Sequence, residues 1–117
     1  MKQSQDMAKI AYEALDNKKG EDIRIIEIKD ISVIADYLII ANGTNTSQVQ
    51  ALADNVENSL TALGYEPRAI EGIRNSSWIL MDYNDIIVHI FSKEDRLFYD
   101  LERIWRDGKT ITISDLK

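Results

Sequence analysis

Two apolar runs separated by a short polar spacer constrain this chain more than any other feature. Residues 78–82 (WILMD) and 85–91 (DIIVHIF) each have the length and composition of a β-strand, with Tyr83 and Asn84 between them. A turn at these two residues predicts a β-hairpin, because asparagine tolerates the positive φ angle that tight hairpin turns require. We expect the rest of the chain to pack around this hairpin.

The predicted hairpin has two unlike faces. Counting outward from the turn pairs Met81 with Ile86 and Trp78 with His89, and successive residues of a strand point to opposite faces. One face is entirely aliphatic, as expected beneath helices: Ile79, Met81, Ile86, Val88 and Ile90. The other face mixes apolar and titratable side chains: Trp78, Leu80, Asp82, Asp85, Ile87, His89 and Phe91. Because a core needs no such mixture, the second face is a candidate recognition surface.

A helix is predicted directly after the hairpin. Ser92 followed by Asp95 is a capping pattern, and Asp107-Gly108 ends the helical segment. Apolar residues recur within it at helical spacing: Leu97, Phe98, Leu101, Ile104 and Trp105. This stripe is expected to pack on the sheet, whereas Tyr99 and Arg103 lie off it.

The remaining segments predict helices alternating with strands. Their expected bounds are a helix over 4–17, a strand over 22–28, an interior strand over 36–41, a helix ending at Leu63, an edge strand over 68–72 and a loop over 73–77. Residues 29–35 are apolar without a clear period, and 108–117 are consistent with a short strand or an unanchored tail. We expect one domain over 1–117, with about four or five strands, helices packed on them and some parallel pairing across the long helix.

Charge and composition narrow the class of protein. The net charge of −6 argues against direct nucleic-acid binding, which depends on neutralising phosphates with lysine and arginine. An acidic surface suits a basic protein partner, although moderate negative charge also serves solubility alone. The sequence has no cysteine, and no run approaches the ~20 apolar residues of a membrane span. Residues 1–19 contain acids and lack a continuous apolar centre, so neither a signal nor a transit peptide is expected.

Two groups of titratable residues on the hairpin are candidates for chemistry. His89, the only histidine, is more often a packed strand residue than a base, since the sequence indicates no nucleophile or orienting partner for it. Asp82 and Asp85 flank the turn, and turn geometry explains them better than a Mg²⁺ site does. Neither group predicts a catalytic centre or a metal.

The segment Gly43-Thr44 is a candidate phosphate cradle, because it precedes a helix and helix N-termini bind anions. Ser47 and Gln50 are expected to form the capping box of that helix. A nucleotidyl-transferring site would also need paired acidic residues to bind metal, and these are missing. No cofactor is therefore predicted.

Short motifs spread over residues 5–106 are specific as a set, although each is weak alone. They are Asp36-Tyr37, Ala41-Asn42-Gly43-Thr44, Gln48-Val49-x-Ala51-x-Ala53-Asp54, Glu71-Gly72, Trp78-x-x-x-Asp82-Tyr83-x-Asp85, Val88-His89-Ile90-Phe91, and Arg96-x-Phe98-Tyr99-Asp100-Leu101-Glu102 with Trp105. On these motifs the chain resembles the Iojap family, the ribosomal silencing factor S proteins. Asn84 stands where that family usually has glycine, and Ser47 where arginine is common.

The resemblance implies a three-layer α/β/α fold with a mixed, roughly five-stranded sheet, related to nucleotidyltransferases but without their metal-binding acids. It also implies a cytoplasmic ribosomal silencing factor that is not an enzyme. Such a factor binds a basic protein of the large ribosomal subunit, the fourteenth in the usual numbering, at the face that meets the small subunit. Bound there, it sterically blocks subunit joining and represses translation when nutrients are scarce. Family members are also often homodimers.

On this interpretation, the mixed hairpin face and the adjoining helix form the binding site. We assign apolar contact to Trp78, Leu80, Ile87 and Tyr99, attraction of basic groups to Glu71, Asp82 and Asp85, and orientation to His89 and Arg96. Two alternatives stay open. One is a nucleotidyltransferase-like enzyme that binds a nucleotide or phosphate through Gly43, Thr44, Asp82 and Asp85. The other is an adaptor for a different basic protein.

Overall fold

A mixed six-stranded sheet forms the centre of the molecule, within residues 2–72 and 77–116 that the computed structural model describes. In chain order the elements are α1 (Lys2–Asn17), β1 (Glu21–Glu27), β2 (Tyr37–Gly43), α2 (Thr46–Thr61), β3 (Ala69–Glu71), β4 (Trp78–Asp82), β5 (Ile86–Ser92), α3 (Lys93–Tyr99), α4 (Leu101–Ile104), β6 (Lys109–Ile111) and a short 3₁₀ helix (Ile113–Leu116). The strand order is β3-β4-β5-β2-β1-β6. The predicted loop over 73–77 lies mostly outside the described residues.

The predicted sheet of roughly five strands was one strand short. The additional strand is β6, which pairs antiparallel with β1 through Ile25 and Ile111 and forms one edge of the sheet. The last described residue, Leu116, is buried in the core, and the 3₁₀ helix that carries it packs against α1. Residues 109–116 are therefore attached to the fold, and the short strand predicted within 108–117 is present as Lys109–Ile111. The predicted edge strand after Pro67 is also confirmed, as β3.

The strands β2 and β5 form the buried centre of this sheet. They pair in parallel from Tyr37 and Ile86 to Gly43 and Ser92, while the other neighbouring strands pair antiparallel. Every residue of β2 is buried, as expected for a strand covered on both faces. The crossover through α2 that sequence spacing predicted accounts for the parallel pairing.

The first face of the sheet packs against α1 and α2. Its core contains side chains from both helices and from the aliphatic face of the hairpin: Met7, Ala11, Leu15, Val49, Leu52, Val56, Leu60, Ile79, Met81, Val88 and Ile90. The two helices are also joined directly, because the side-chain amide of Asn55 donates a hydrogen bond to the carbonyl of Ala14 at 2.7 Å. This face is closed by two 16-residue helices.

The second face of the sheet has thinner cover. Its buried residues are Ile26, Ile28, Ala35, Leu38, Ile40, Ile87 and Phe91, and half-buried Trp78, Leu80, Leu101 and Trp105 pack against them. Ile28 and Ala35 lie at the two ends of the connection between β1 and β2 and belong to this core, whereas Ile31, Val33 and Ile34 between them are exposed. Part of the apolar surface on this side is therefore open to a partner.

The hairpin of β4 and β5 is confirmed, but its register differs from the prediction. Trp78 pairs with Phe91 rather than with His89, which is a shift of two residues. A shift of two leaves every side chain on its original face, whereas a shift of one would have exchanged the faces. The predicted division between an aliphatic face and a mixed face along the paired strands is therefore confirmed.

The difference in register arises at the turn. The N–H of Tyr83 donates to the carbonyl of Ile86 at 2.9 Å, so Asn84 and Asp85 are the two turn residues. Tyr83 continues the alternation of β4 and is buried in the first core instead of lying in the turn. The positive φ expected at Asn84 is confirmed, at 71°.

The single helix predicted after Ser92 is interrupted. Ser92 caps α3 as expected, with its hydroxyl accepting from the N–H of Asp95. Asp100 then adopts a left-handed conformation, with φ 49° and ψ 54°, and α4 starts in a new direction. The predicted stripe was therefore wrong, because Leu97, Phe98 and Ile104 are 75%, 80% and 66% exposed. Only Leu101 and Trp105 of the predicted stripe pack on the second face, among the described residues.

The start and end of α2 also differ from the prediction. Asn45, not Ser47, is the N-cap, and its side chain accepts from the N–H of Gln48 at 2.8 Å. Both residue types are good caps, so sequence alone did not separate them. Leu63 lies beyond the helix and is exposed, while Gly64 follows with φ 89° and ends the segment as predicted.

Substitution of Asn84 tests the turn. Asn84→Ala should lower the free energy of unfolding by about 1 kcal/mol, because a Cβ is unfavourable in the left-handed conformation and alanine lacks the local polar contacts of asparagine. Asn84→Gly should stay within about 0.5 kcal/mol of the parent, since relieved strain offsets the greater freedom of glycine in the unfolded chain. Urea unfolding followed by circular dichroism measures both, and equal stabilities of the two variants would contradict this turn geometry.

Candidate functional site

A cluster of aromatic rings lies on the mixed face of the hairpin. The ring centroid of Trp78 is 5.0 Å from that of Phe91 and 4.5 Å from that of Tyr99. The indole N–H of Trp78 donates a hydrogen bond to Nδ1 of His89 at 3.0 Å. Trp78 is half-buried and Tyr99 is exposed, so the cluster has a rigid base and an accessible edge. The arrangement fixes one orientation of the indole.

His89 supports this cluster as a neutral imidazole. It is 7% exposed, and burial lowers the pKa of His89 to about 4. Because Nδ1 accepts the hydrogen bond from Trp78, the ring proton lies on Nε2. The predicted neighbourhood of Trp78 and His89 is confirmed by this contact, although the two residues are not paired directly across the hairpin.

The backbone register places acidic and apolar side chains beside the aromatic cluster. Glu71 pairs with Leu80, and Leu80 pairs with His89, so these three residues form a row across one face of the sheet. Asp82 lies in the neighbouring row, opposite Ile87. Glu71 is exposed, and Leu80 and Asp82 are half-buried. Sequence reasoning did not foresee the closeness of Glu71 and Leu80, because it depends on the pairing of β3 with β4.

Asp85 does not lie with the other predicted site residues. Its carboxylate accepts a hydrogen bond from the side-chain amide of Gln3 at 2.9 Å, and Gln3 belongs to α1 on the other side of the sheet. The backbone carbonyl of Asp85 accepts from the N–H of Asp36 at 2.9 Å. The placement of Asp85 on the mixed face was therefore wrong, because it is a turn residue and not a strand residue.

Arg96 also differs from its predicted position, because it is 6% exposed and lies inside the protein. Its guanidinium donates to the backbone carbonyl of Asp22 at 2.7 Å and to the side-chain oxygen of Asn42 at 2.9 Å. It also forms an ion pair with Glu102, with Nη2 and Oε2 3.0 Å apart. Arg96 thus fastens α3 and α4 to the ends of β1 and β2. The break at Asp100 lets Glu102 turn back toward Arg96.

The residues of the enzyme alternative do not form one site. Gly43 lies at the end of β2, next to Ser92, whereas Asp82 and Asp85 flank the start of β5. At ~3.3 Å per residue, the length of a seven-residue strand, roughly 20 Å, separates the two ends. No group of three or more histidine, cysteine or acidic residues is arranged to hold a metal in the described parts of the chain.

The proposed phosphate cradle is occupied by the protein itself. The side-chain oxygen of Gln48 accepts from the backbone N–H of Thr44 at 2.6 Å and from its hydroxyl at 2.9 Å. The side-chain nitrogen of Gln48 donates to the carbonyl of Lys19 at 3.0 Å. These bonds and the Asn45 cap engage the backbone N–H groups of Thr44 and Gln48, which an anion would otherwise use. Among the described helices, none is long and apolar enough to cross a membrane.

Comparison with known proteins identifies the family. A family model described as "Ribosomal silencing factor during starvation" matches residues 1–117. The chain belongs to this family. It is 36% identical over 110 residues to the ribosomal silencing factor RsfS of Halalkalibacterium halodurans, covering 94% of each chain. It is 38% identical over 100 residues to RsfS of Bacillus subtilis, covering 86% of this chain and 85% of that one.

Solved structures agree with this assignment. A crystal structure of a Chromobacterium violaceum protein matches with a TM-score of 0.85 and 32% identity, covering 92% of this chain and 89% of that one. The resemblance to Iojap proteins is confirmed as well, since the chloroplastic Iojap of Arabidopsis thaliana is 26% identical over 108 residues.

Loss of the Arg96 side chain should destabilise the folded protein. Arg96→Ala is expected to lower the free energy of unfolding by about 3 kcal/mol, because it leaves Asn42 and Glu102 without their buried partner. Arg103→Ala is the matched control, since Arg103 is an exposed arginine in α4 and its loss should cost at most about 0.5 kcal/mol. Urea unfolding compares them, and similar losses would show that Arg96 has no special structural role.

His89 should make stability depend on pH. Its pKa is lower in the folded protein than the ordinary 6.5, so its contribution is present above pH 6.5 and is lost as pH falls toward 4. We expect the protein to be about 2 kcal/mol less stable at pH 5 than at pH 7.5 from this residue.

His89→Gln retains an acceptor for Trp78 and does not titrate, so it isolates the effect of the histidine. The chain has one histidine, and the difference between the parent and His89→Gln therefore reports this residue. Urea unfolding at both pH values should show a smaller pH dependence for His89→Gln. An unchanged pH dependence would mean that His89 is not buried as a neutral ring.

Proposed function

We propose that this protein binds a basic protein of the large ribosomal subunit, the fourteenth in the usual numbering, and thereby prevents the small subunit from joining. The surface used is the mixed face of the hairpin around Trp78, with the adjoining end of α3. The relatives are named as silencing factors rather than as enzymes, which agrees with a mechanism without a chemical step. We propose a cytoplasmic location, which a role on ribosomes supports.

The fixed position of Trp78 is the observation that most supports this proposal. Interfaces obtain most of their binding energy from a few anchors, and tryptophan and tyrosine are enriched among them. Contacts with Phe91, Tyr99 and His89 restrict the indole before any partner arrives. A side chain that is already ordered loses less entropy on binding. Trp78 and Tyr99 therefore suit the role of anchors.

The acidic groups beside Trp78 suit a basic partner. Glu71 and Asp82 lie on the same face as the indole and flank Leu80. The net charge of −6 would add long-range attraction to a positively charged surface. Ile87, His89 and Arg96 are buried, so we assign them to support of this surface and not to direct contact. Asp85 is left outside it.

The proposed mechanism is steric occlusion. A bound domain with principal extents of 33 × 32 × 25 Å would hold apart the two surfaces that meet where it is bound. Occupation of the intersubunit face would therefore be sufficient to stop joining. Translation would fall because small subunits could not join large subunits. Release of the protein would restore joining without repair of the ribosome.

We also propose that a homodimer uses the groove on α3 and α4. Leu97, Phe98 and Ile104 are exposed there, next to both basic and acidic residues: Arg103, Arg106, Asp100 and Asp107. Apolar surface bordered by both signs of charge is suited to contact with a second copy of itself, because isologous interfaces must be self-complementary. The rings of Phe98 and Tyr99 are in contact, so the dimer groove would adjoin the ribosome-binding surface.

Replacement of Trp78 tests the proposed function. Trp78→Ala should weaken binding to purified large subunits by ~2 kcal/mol or more, which corresponds to roughly a 30-fold increase in Kd. Fluorescence anisotropy of labelled protein measures this change. Leu63→Ala is the control, since Leu63 is an exposed apolar residue at the end of α2, away from the proposed surface. It should bind as the parent does.

Urea unfolding must show that Trp78→Ala remains cooperatively folded, because Trp78 also packs on the second core. A folded Trp78→Ala variant that binds large subunits with the parent Kd would refute the assignment of this surface.

A further inference from the structure

A small pocket opens at the β3 edge of the sheet, next to the aromatic cluster. It has a volume of about 240 Å³ and is lined by Glu71, Gly72, Trp78 and Leu80. A pocket of this volume has room for one long side chain. Its walls are mostly apolar, and the charged group among these four lining residues is the Glu71 carboxylate.

The register of the strands explains how these side chains come together. Glu71 on β3 pairs with Leu80 on β4, which sets their side chains on the same face of the sheet. Trp78 is two residues before Leu80 and so lies on that face too. The pocket is thus bounded by an indole, an aliphatic side chain and a carboxylate within one small area.

Glu71 lacks a cationic partner among the described side chains of residues 3–72 and 77–116. The ion pairs of the described residues involve other acids: Asp22, Glu27 and Glu102. Within the described part of the chain, the Glu71 carboxylate therefore lies beside an indole with no cationic side chain paired to it. Two interactions would attract a cation here: charge pairing with the carboxylate and contact with the electron-rich face of the tryptophan ring.

We propose that this pocket receives one arginine side chain of the partner protein. The aliphatic part of the arginine would lie along Leu80 and Trp78, and its guanidinium would pair with the Glu71 carboxylate at the rim. Arginine fits better than lysine, because a planar guanidinium stacks on an aromatic ring and forms two parallel hydrogen bonds with a carboxylate. This inference rests on the proposed ribosome binding and specifies the group that the surface recognises.

A substitution that removes the charge of Glu71 tests the inference. Glu71→Gln keeps the size of the side chain and removes its charge, and it should raise the Kd for purified large subunits by about tenfold or more. Glu13→Gln removes the same charge from an exposed position on α1, behind the sheet, and should change the Kd by less than about twofold. Urea unfolding should show both variants as stable as the parent.

The outcomes separate this inference from the proposed function. A tenfold loss confined to Glu71→Gln supports the pocket. If Glu71→Gln binds as the parent does, the inference about the pocket is wrong, but the proposed ribosome binding still holds. If Glu71→Gln and Glu13→Gln lose the same affinity, the inference is also wrong, because general charge attraction then explains both losses. Failure of the parent to bind large subunits would refute the proposed function itself.

A double-mutant cycle supplies a second test that general charge attraction would not satisfy. Trp78→Phe keeps an aromatic ring but weakens the cation contact. If one arginine touches both residues, the loss for Glu71→Gln combined with Trp78→Phe should be several-fold smaller than the product of the two single losses. Simple multiplication of the two losses would show that Glu71 and Trp78 do not share a ligand group, and would overturn the inference.

Discussion

The parallel pairing of β2 with β5 is the interaction on which the rest of the structure depends. All of β2 and almost all of β5 are buried, so this strand pair needs cover on both faces. The two long helices α1 and α2 cover the first face completely. The second face receives only short helices and connections, which leave Trp78 and Leu80 half-buried. The candidate site is a consequence of this unequal cover.

Much of the fold could be predicted from periodicity, because periodicity reports which side of an element is apolar. The two hairpin faces survived a register error for this reason, since a slip of two residues preserves alternation. The ends of helices were harder to predict, because neighbouring polar residues such as Asn45 and Ser47 are both suitable N-caps. The break at Asp100 was not predictable from local pattern. Next to this break, Arg96 makes buried contacts with β1 and β2, which are distant in sequence.

Periodicity also predicted part of the candidate site. The alternation of the hairpin placed Trp78, Leu80, Asp82 and His89 on one face, and the structure brings them together there. The exposure of each residue depended on tertiary packing, so Arg96, expected at the surface, is buried, and His89 is buried as the packed strand residue that the sequence favoured. Their burial changes their role, since His89 fixes the indole of Trp78 and Arg96 holds the helices that supply Tyr99. A polar residue in a short motif can thus serve the binding surface from beneath it.

Sedimentation with ribosomal subunits tests the central claim most directly. The protein is first mixed with purified large subunits, and small subunits are then added at a Mg²⁺ concentration that normally permits joining. The proposed function predicts that the protein sediments with the large subunits and that the peak of joined ribosomes is lost. A protein that remains at the top of the gradient while the subunits join normally would contradict it.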